Sequence, residues 1–281
     1  MANAVSVKKS SGESQNFSEE KLHDSLRNSG ASEEVIYEIV AEIRKDLYEG
    51  ITTRSIYRRA FRMLRRKTHA IAGRYSLKNA IMELGPTGYP FETYIGELMK
   101  RLGYEARTGV FIQGKCVSHE VDVEAWNHEV KLMIECKYHN TPGKVCSVQV
   151  PLYIQSRFLD VKATWETLPE NSRRSFWGWV VTNTRFSEDA ATFGRCAGLH
   201  LVGWDYPRHG SLKELIETTS LFPVTAISGL NMKQKQILID HQIVLCSDLL
   251  ANLKALELLR LPARILKNVT AEIHELSEIS R

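Results

Sequence analysis

The stretch HEVDVEAWNHEVKLMIECKYH, His119 to His139, constrains the chain more than any other. Polar and apolar residues alternate on both sides of a short break, which predicts two short strands joined by a tight connection. In the first strand Val121, Val123 and Ala125 share one face, and Glu120, Asp122 and Glu124 form an acidic outer face. In the second, Val130 to Tyr138, Met133, Glu135 and Lys137 lie on one side and Ile134 and Cys136 on the other. One carboxylate, followed on the next strand by a second carboxylate two residues before a lysine, is what metal-dependent phosphodiester hydrolysis needs. The carboxylates hold a divalent cation against a phosphate oxygen, and the lysine sets a positive charge beside the attacking water and the developing negative charge. A structural hairpin with an acidic face and a buried Ile134/Cys136 face has the same letters, so both readings stand on these residues alone.

The chain has 281 residues, which predicts two or three domains. Hydrophobic residues make up 43% and charged residues 25%, as in ordinary globular proteins, and the formal net charge of +4 permits a nucleic-acid partner without requiring one. Five scattered cysteines with no CxxC fit a reducing compartment and argue against a disulfide framework. No apolar run is long enough to span a membrane, and the first residues lack an apolar signal core. The expectation is a cytoplasmic protein.

Residues 1–86 form the first expected unit. A strand-like start with a Ser11-Gly12 turn leads to a helix capped by Ser18, and Ser32 caps a second helix running to Gly50. Thr53 is the expected cap of a third helix, and a fourth runs to Leu84. Val7-Lys8-Lys9, the turn, Phe17, Glu20-Lys21-Leu22 and Tyr75 together resemble the ATP-cone, a small nucleotide-sensing allosteric domain. The resemblance implies ATP or dATP as ligand, with Lys8, Lys9 and Lys21 at its phosphates. A glycine-containing turn, clustered lysines and a helix N-terminus also suit an anion on chemical grounds. The third helix carries Arg54, Arg58, Arg62, Arg65 and Arg66, a stripe that reads either as a solvated face or as a contact for a DNA backbone or a partner subunit. Gly85-Pro86, Gly88 and Pro90 mark a boundary, and the two prolines predict a semi-rigid link that passes cone movement to the next helix.

Residues 87–215 form the second unit: an amphipathic helix with Phe91, Tyr94, Ile95 and Leu98 inward, a strand from about Glu105 to Ile112, and then the acidic hairpin. A helical segment broken near Pro151 follows, then a buried strand from Phe176 to Thr184, a helix capped by Ser187 and a final strand LHLVGW. The order predicts an α/β fold around one sheet. Asp122 followed by Glu135-Cys136-Lys137 resembles the PD-(D/E)xK nuclease motif. With the Phe91-Glu92 helix and the TNTRFSEDA segment, the succession resembles the Mrr-like branch of the restriction endonuclease fold. The resemblance implies Asp122, Glu135 and Lys137 as catalytic residues, and Glu92, Asp122, Glu135 and the backbone carbonyl of Cys136 as ligands of Mg²⁺ or Mn²⁺. Cys116/His119 and Cys136/His139 are spaced like zinc ligands, but residues three apart on a strand point to opposite faces and neither pair has a glycine knuckle.

Residues 216–281 are expected to be helical. Ser228-Gly229-Leu230 ahead of a helix resembles helix-hairpin-helix modules, whose backbone amides contact DNA phosphates; a packing or dimerisation module fits the same pattern. The combined expectation is a nucleotide-regulated, metal-dependent endonuclease acting on DNA, with RNA an open substrate and a homo-oligomer as its assembly. Its rival is a nucleotide-sensing DNA-binding or assembly protein whose nuclease fold is idle.

Overall fold

The computed structural model describes residues 5–9 and 12–277. Ser11, named above as part of the first turn, lies outside them. Strands β1 (Ser6–Lys8) and β2 (Ser14–Asn16) form a hairpin, and β3 (Ile51–Thr52) adds to β1 in parallel. Helices α1 (Glu19–Asn28) and α2 (Glu33–Lys45) are capped by Ser18 and Ser32 as their sequences require. Helix α3 (Thr53–Lys67) is capped by Thr52 rather than Thr53, its hydroxyl accepting from the Ser55 N–H at 3.1 Å. Thr52 is extended because it ends β3 against Lys8, which leaves Thr53 as the first helical residue. The expected fourth helix is two, α4 (His69–Tyr75) and α5 (Leu77–Met82), broken at Ser76, whose hydroxyl turns back to the Gly73 carbonyl.

Helix α6 (Tyr89–Arg101) precedes three antiparallel strands, β4 (Glu105–Gln113), β5 (Ser118–Trp126) and β6 (Val130–Lys137). After the short β7 (Val145–Cys146), α7 runs unbroken from Gln149–Trp165. Pro151 sits in its first turn, where the missing N–H has no helical partner to lose, so the expected break does not form. Strand β8 (Ser175–Thr182) lies parallel to β6, and β9 (Arg185–Phe186) pairs β7. Helix α8 (Glu188–Ala197), capped by Ser187, leads to β10 (His200–Val202), parallel to β8. The sheet order is β10-β8-β6-β5-β4. Helix α9 (Leu212–Thr219) follows, and α10 (Met232–Asp240), α11 (Cys246–Ala251) and α12 (Ala263–Ser277) complete the described chain. No helix among the described residues is long and apolar enough to cross a membrane.

Two helical layers cover the sheet. Ile154, Phe158, Val161 and Trp165 of α7 pack on one face with Val121, Met133 and Val180. Phe91, Tyr94, Ile95 and Leu98 of α6 pack on the other with Val123, Ile134 and Cys136. This second core does not stop at the Gly85–Pro90 link. It takes in Ala70, Leu77, Ala80, Ile81 and Leu84 from the first unit, and Val224, Ala226, Val269 and Ile273 from the C-terminal helices. Helix α4 is a shared wall, since its Ala72 belongs to the separate core of α1, α2 and α3. Gly73 makes the contact close: a Cβ there would stand 2.7 Å from the Ala226 carbonyl oxygen. A polar tie crosses the same boundary, the Thr225 hydroxyl donating to the Ala80 carbonyl at 2.6 Å, and the Tyr94 hydroxyl ties α6 to the C-terminal part through the Leu221 carbonyl at 2.6 Å. Cone movement therefore has a packed route into the sheet layer beside the proline link.

The acidic hairpin departs from regular alternation at one rung. Thr108 pairs Val123 and Val110 pairs Val121, but Gly109 and Asp122 between them do not pair. Gly109 has φ +59°, a left-handed conformation that glycine takes without Cβ strain. Across this rung the apolar residues change layers, Val123 and Ala125 facing α6 and Val121 facing α7. Glu124 is not on an outer acidic face. It is 3% exposed and held by Arg107 at 2.8 Å and Lys131 at 2.9 Å, because its side of the strand lies under the α7 layer.

Candidate active site

The structure brings Asp122, Glu135 and Lys137 together. Glu135 and Lys137 share one side of β6, as the period of two requires, while Ile134 and Cys136 enter the opposite core. From the neighbouring strand, the Asp122 carboxylate reaches across its unpaired rung and accepts the Cys136 backbone N–H at 2.7 Å. The Lys137 ammonium donates to Glu135 Oε1. Glu92 lies in the first turn of α6, and Gly88 leaves it room, since a Cβ there would be 3.0 Å from Glu92 Oε1. Cys136 itself is buried and belongs to the core through its side chain; only its backbone faces the acids.

Arg157 is a member of this cluster that sequence reasoning missed. Its guanidinium donates to Glu135 Oε2 at 2.6 Å and to the Glu120 carbonyl oxygen, and it lies over the Tyr153 ring at 5.4 Å. A signal was present: Arg157 stands three residues after Ile154 and four before Val161, a cation on the buried stripe of a helix.

Electrostatics tie the group together. Burial, then the Glu135 charge, pushes the Asp122 carboxyl up to about 7, against the opposing pull of the Cys136 N–H. Burial, then the Glu120 and Glu135 charges, raises Glu92 as well. Burial works against the Lys137 charge, but its bond to Glu135 and the nearby acids outweigh it and hold the ammonium above its ordinary range. The burial and neighbouring charge that raise Asp122 and Glu92 disfavour their ionised forms, which a hard cation would stabilise, so the donor set suits Mg²⁺ or Mn²⁺ in kind. Among the described residues, no three His, Cys, Asp or Glu side chains stand grouped as a metal site, and both Glu135 oxygens are engaged by cations.

The remaining expectations resolve locally. His119 Nε2 lies 2.8 Å from Asp160, which also accepts the Cys116 and Val117 N–H groups and so fastens the β4–β5 turn to α7. Cys116 is exposed and Cys136 buried, which separates the two zinc-like pairs. A groove of about 670 Å³ lined by Gln155, Phe158, Arg174 and Trp177 contains none of Glu92, Asp122 and Glu135. In the first unit, Lys8 and Lys9 are exposed at the end of β1, and Lys9 makes a 3.4 Å pair with Glu13. Lys21 is exposed in the first turn of α1. At the Ser228-Gly229-Leu230 hairpin, the Ser228 and Gly229 amides donate to the two Glu272 carboxylate oxygens at 2.6 and 3.0 Å. The amides expected at a phosphate are thus occupied by a carboxylate of α12, because that helix packs directly against the hairpin.

Comparison with known proteins supplies the class first. Residues 5–80 match the family model of the ATP cone domain, a domain class that binds ATP or dATP as an allosteric ligand, and residues 222–277 match the AF1548-like C-terminal model. An uncharacterized protein of Archaeoglobus fulgidus is 34% identical over 179 residues, covering 63% of this chain and 97% of that protein. The crystal structure of the protein of unknown function AF1548 aligns with a TM-score of 0.53 and 31% identity, over 68% of this chain and 98% of that one. The chain belongs to the AF1548-like family. The two matched models flank the five-stranded sheet without covering it.

Lys9→Ala and Lys21→Ala are each expected to weaken ATP or dATP binding by roughly 1–3 kcal/mol, the range for a lost charge-assisted bond. Isothermal titration measures it, and wild-type heat unchanged in both variants would move the phosphates elsewhere.

Proposed function

We propose that the protein is a nucleotide-regulated, metal-dependent nuclease that hydrolyses DNA phosphodiester bonds. The observation that supports this best is the meeting of Asp122 with the Glu135–Lys137 edge through the Cys136 N–H. Two acids and a lysine then meet where the C-terminal end of β6 borders the middle of β5, with Glu92 in the first turn of α6 close enough for its charge to be felt. Asp122, Glu135 and Glu92, with the Cys136 carbonyl, would hold Mg²⁺ or Mn²⁺. The ion would supply Lewis-acid stabilisation of the phosphate oxygen and a more acidic bound water.

The protein's own groups perform the rest. Lys137, kept charged by Glu135, orients the attacking water and stabilises the negative charge that builds on the phosphate. Arg157 balances the Glu135 charge from the α7 side while the substrate approaches. ATP or dATP on the cone shifts an equilibrium between two packings of the α4 wall, and thereby the position of α6 and Glu92 relative to Asp122. That shift requires different nucleotide affinity in the two packings. A change in homo-oligomeric state is a second way of passing on the same difference.

One observation favours a rival: Glu135 has both oxygens ion-paired, as in a structural pair. On that reading the sheet is an idle scaffold in a nucleotide-sensing binding protein. Supercoiled plasmid incubated with protein and Mg²⁺, against EDTA and against Lys137→Ala, separates the two. Nicking that needs the metal and vanishes in the variant is the expected result. Intact plasmid in every lane, with single-stranded RNA also uncut, favours the scaffold.

A further inference from the structure

Several of the cone's cations are neutralised within it. Arg27 pairs with Glu33 and Asp24, Arg44 with Glu19, Lys45 with Glu42, and Lys9 with Glu13. Even on α3, Arg59 pairs with Asp46 and Lys67 with Glu38, both acids belonging to α2 or its C-terminal cap. Arg54, Arg58, Arg62, Arg65 and Arg66 of the same helix are exposed, and none of them has an acidic partner among the described residues. Helix α3 holds seven of the chain's 37 lysines and arginines and no acid, leaving 30 against 33 acidic residues elsewhere. The positive excess of the whole chain therefore sits on one helix.

The surface is also purely ionic. The apolar residues of α3 turn inward, with Ile56, Ala60 and Leu64 buried and Phe61 and Met63 packed against the cone core. A protein partner would want an apolar anchor at the centre of its contact, and a membrane would want an apolar face to insert. Helix α3 itself offers neither. A phosphodiester backbone needs only repeated cationic donors, and guanidinium groups bind phosphate in bidentate fashion. Positions 54, 58, 62 and 65 advance about one turn at a time and cover roughly 16 Å of helix axis. At about 3.4 Å of axis per phosphate on one strand, that row faces on the order of five phosphates.

We propose that the exposed arginine row of α3 is a sequence-independent docking surface for the DNA backbone, carried by the cone and separate from the Asp122 centre. It does not rest on cleavage, because a protein with an inert centre would still dock through it. The test is fluorescence anisotropy on the full-length protein with a short labelled duplex, in EDTA, across a salt series. Wild type is compared with Arg58→Glu/Arg62→Glu/Arg65→Glu and with a control of equal charge change, Lys233→Glu/Lys254→Glu/Arg264→Glu. The α3 variant is expected to bind at least tenfold more weakly, with its log–log salt slope reduced by about 0.9 for each phosphate that is no longer neutralised. Its melting temperature and ATP titration should match wild type, since the three guanidinium groups hold no acidic partner among the described residues. Equal affinity and slope in wild type and the α3 variant would overturn the proposal. So would an equal loss in the control, or wild-type protein that binds anionic vesicles but not duplex.

Discussion

Asp122→Asn should abolish cleavage and at the same time make the metal-free protein more stable. The amide keeps an oxygen for the Cys136 N–H but removes the charge, so turnover is expected to fall by at least about a hundredfold, the usual cost of removing one essential electrostatic group. The stability sign follows from the direction of the shift. Asp122 titrates at about 7 in the fold against 3.8 when unperturbed, so the folded state prefers the proton. Wild-type stability from this group is fully present below about pH 4 and is lost as pH rises towards 7. In chelator at pH 8, the Asn variant should therefore unfold later than wild type, by up to about 4 kcal/mol, with the gap closing on acidification. Urea titrations at about pH 5 and pH 8 measure this, on either side of the folded-state value. A variant less stable than wild type at the higher pH would mean that Asp122 is a structural acceptor whose charge the fold wants.

Glu272→Ala should be the most damaging single change outside the sheet. Glu272 is 2% exposed, and its two oxygens are the partners of the Ser228 and Gly229 amides. Burial raises its carboxyl, and the amides and His69 pull the other way. Truncation leaves two amides without acceptors beneath α12, and the expected loss is about 2–5 kcal/mol from bonds to a charged group and unpaired donors. Glu272→Gln, which retains one carbonyl oxygen, should recover about half. Chemical denaturation followed by tryptophan fluorescence reports it, since buried Trp165 and Trp204 lie in both sheet layers. Loss below about 1 kcal/mol in Glu272→Ala would show that water replaces the carboxylate at the hairpin.

Much of the central unit was legible because strands advertise themselves by period. Met133, Glu135 and Lys137 opposite Ile134 and Cys136 could be read directly, as could the caps Ser18, Ser32 and Ser187, whose hydroxyls meet amides three residues on. Other features depended on long-range partners. Glu124 looked solvated until Arg107 of β4, its cross-strand neighbour, and Lys131 of the same hairpin closed over it, a meeting that only the strand register sets. Thr52 and Thr53 are indistinguishable as caps until β3 adds to β1. Pro151 reads as a break unless the helix start is known to fall two residues before it. Arg157 and Glu272 are both charges on apolar helix stripes, and the stripe flags that a buried acceptor or donor exists without saying which.

The double allegiance of α4 bears on where this chain can be cut and rejoined. The glycines and prolines at residues 85–90 look like the natural seam, yet α5 and Ala70 of α4 belong to the core on the far side of it. A chimera joined there would carry away one wall of the sheet layer and expose Phe91, Val224 and Ile273 to water. The match to the cone family itself ends at residue 80, inside this shared region. A transplant of the sensor onto another protein would succeed only if the recipient supplied a surface shaped like Ala226 and Leu276 for Gly73 to lie against. The inheritable unit is thus the sensor together with its socket, and lineages that lose one should be free to lose or reshape the other.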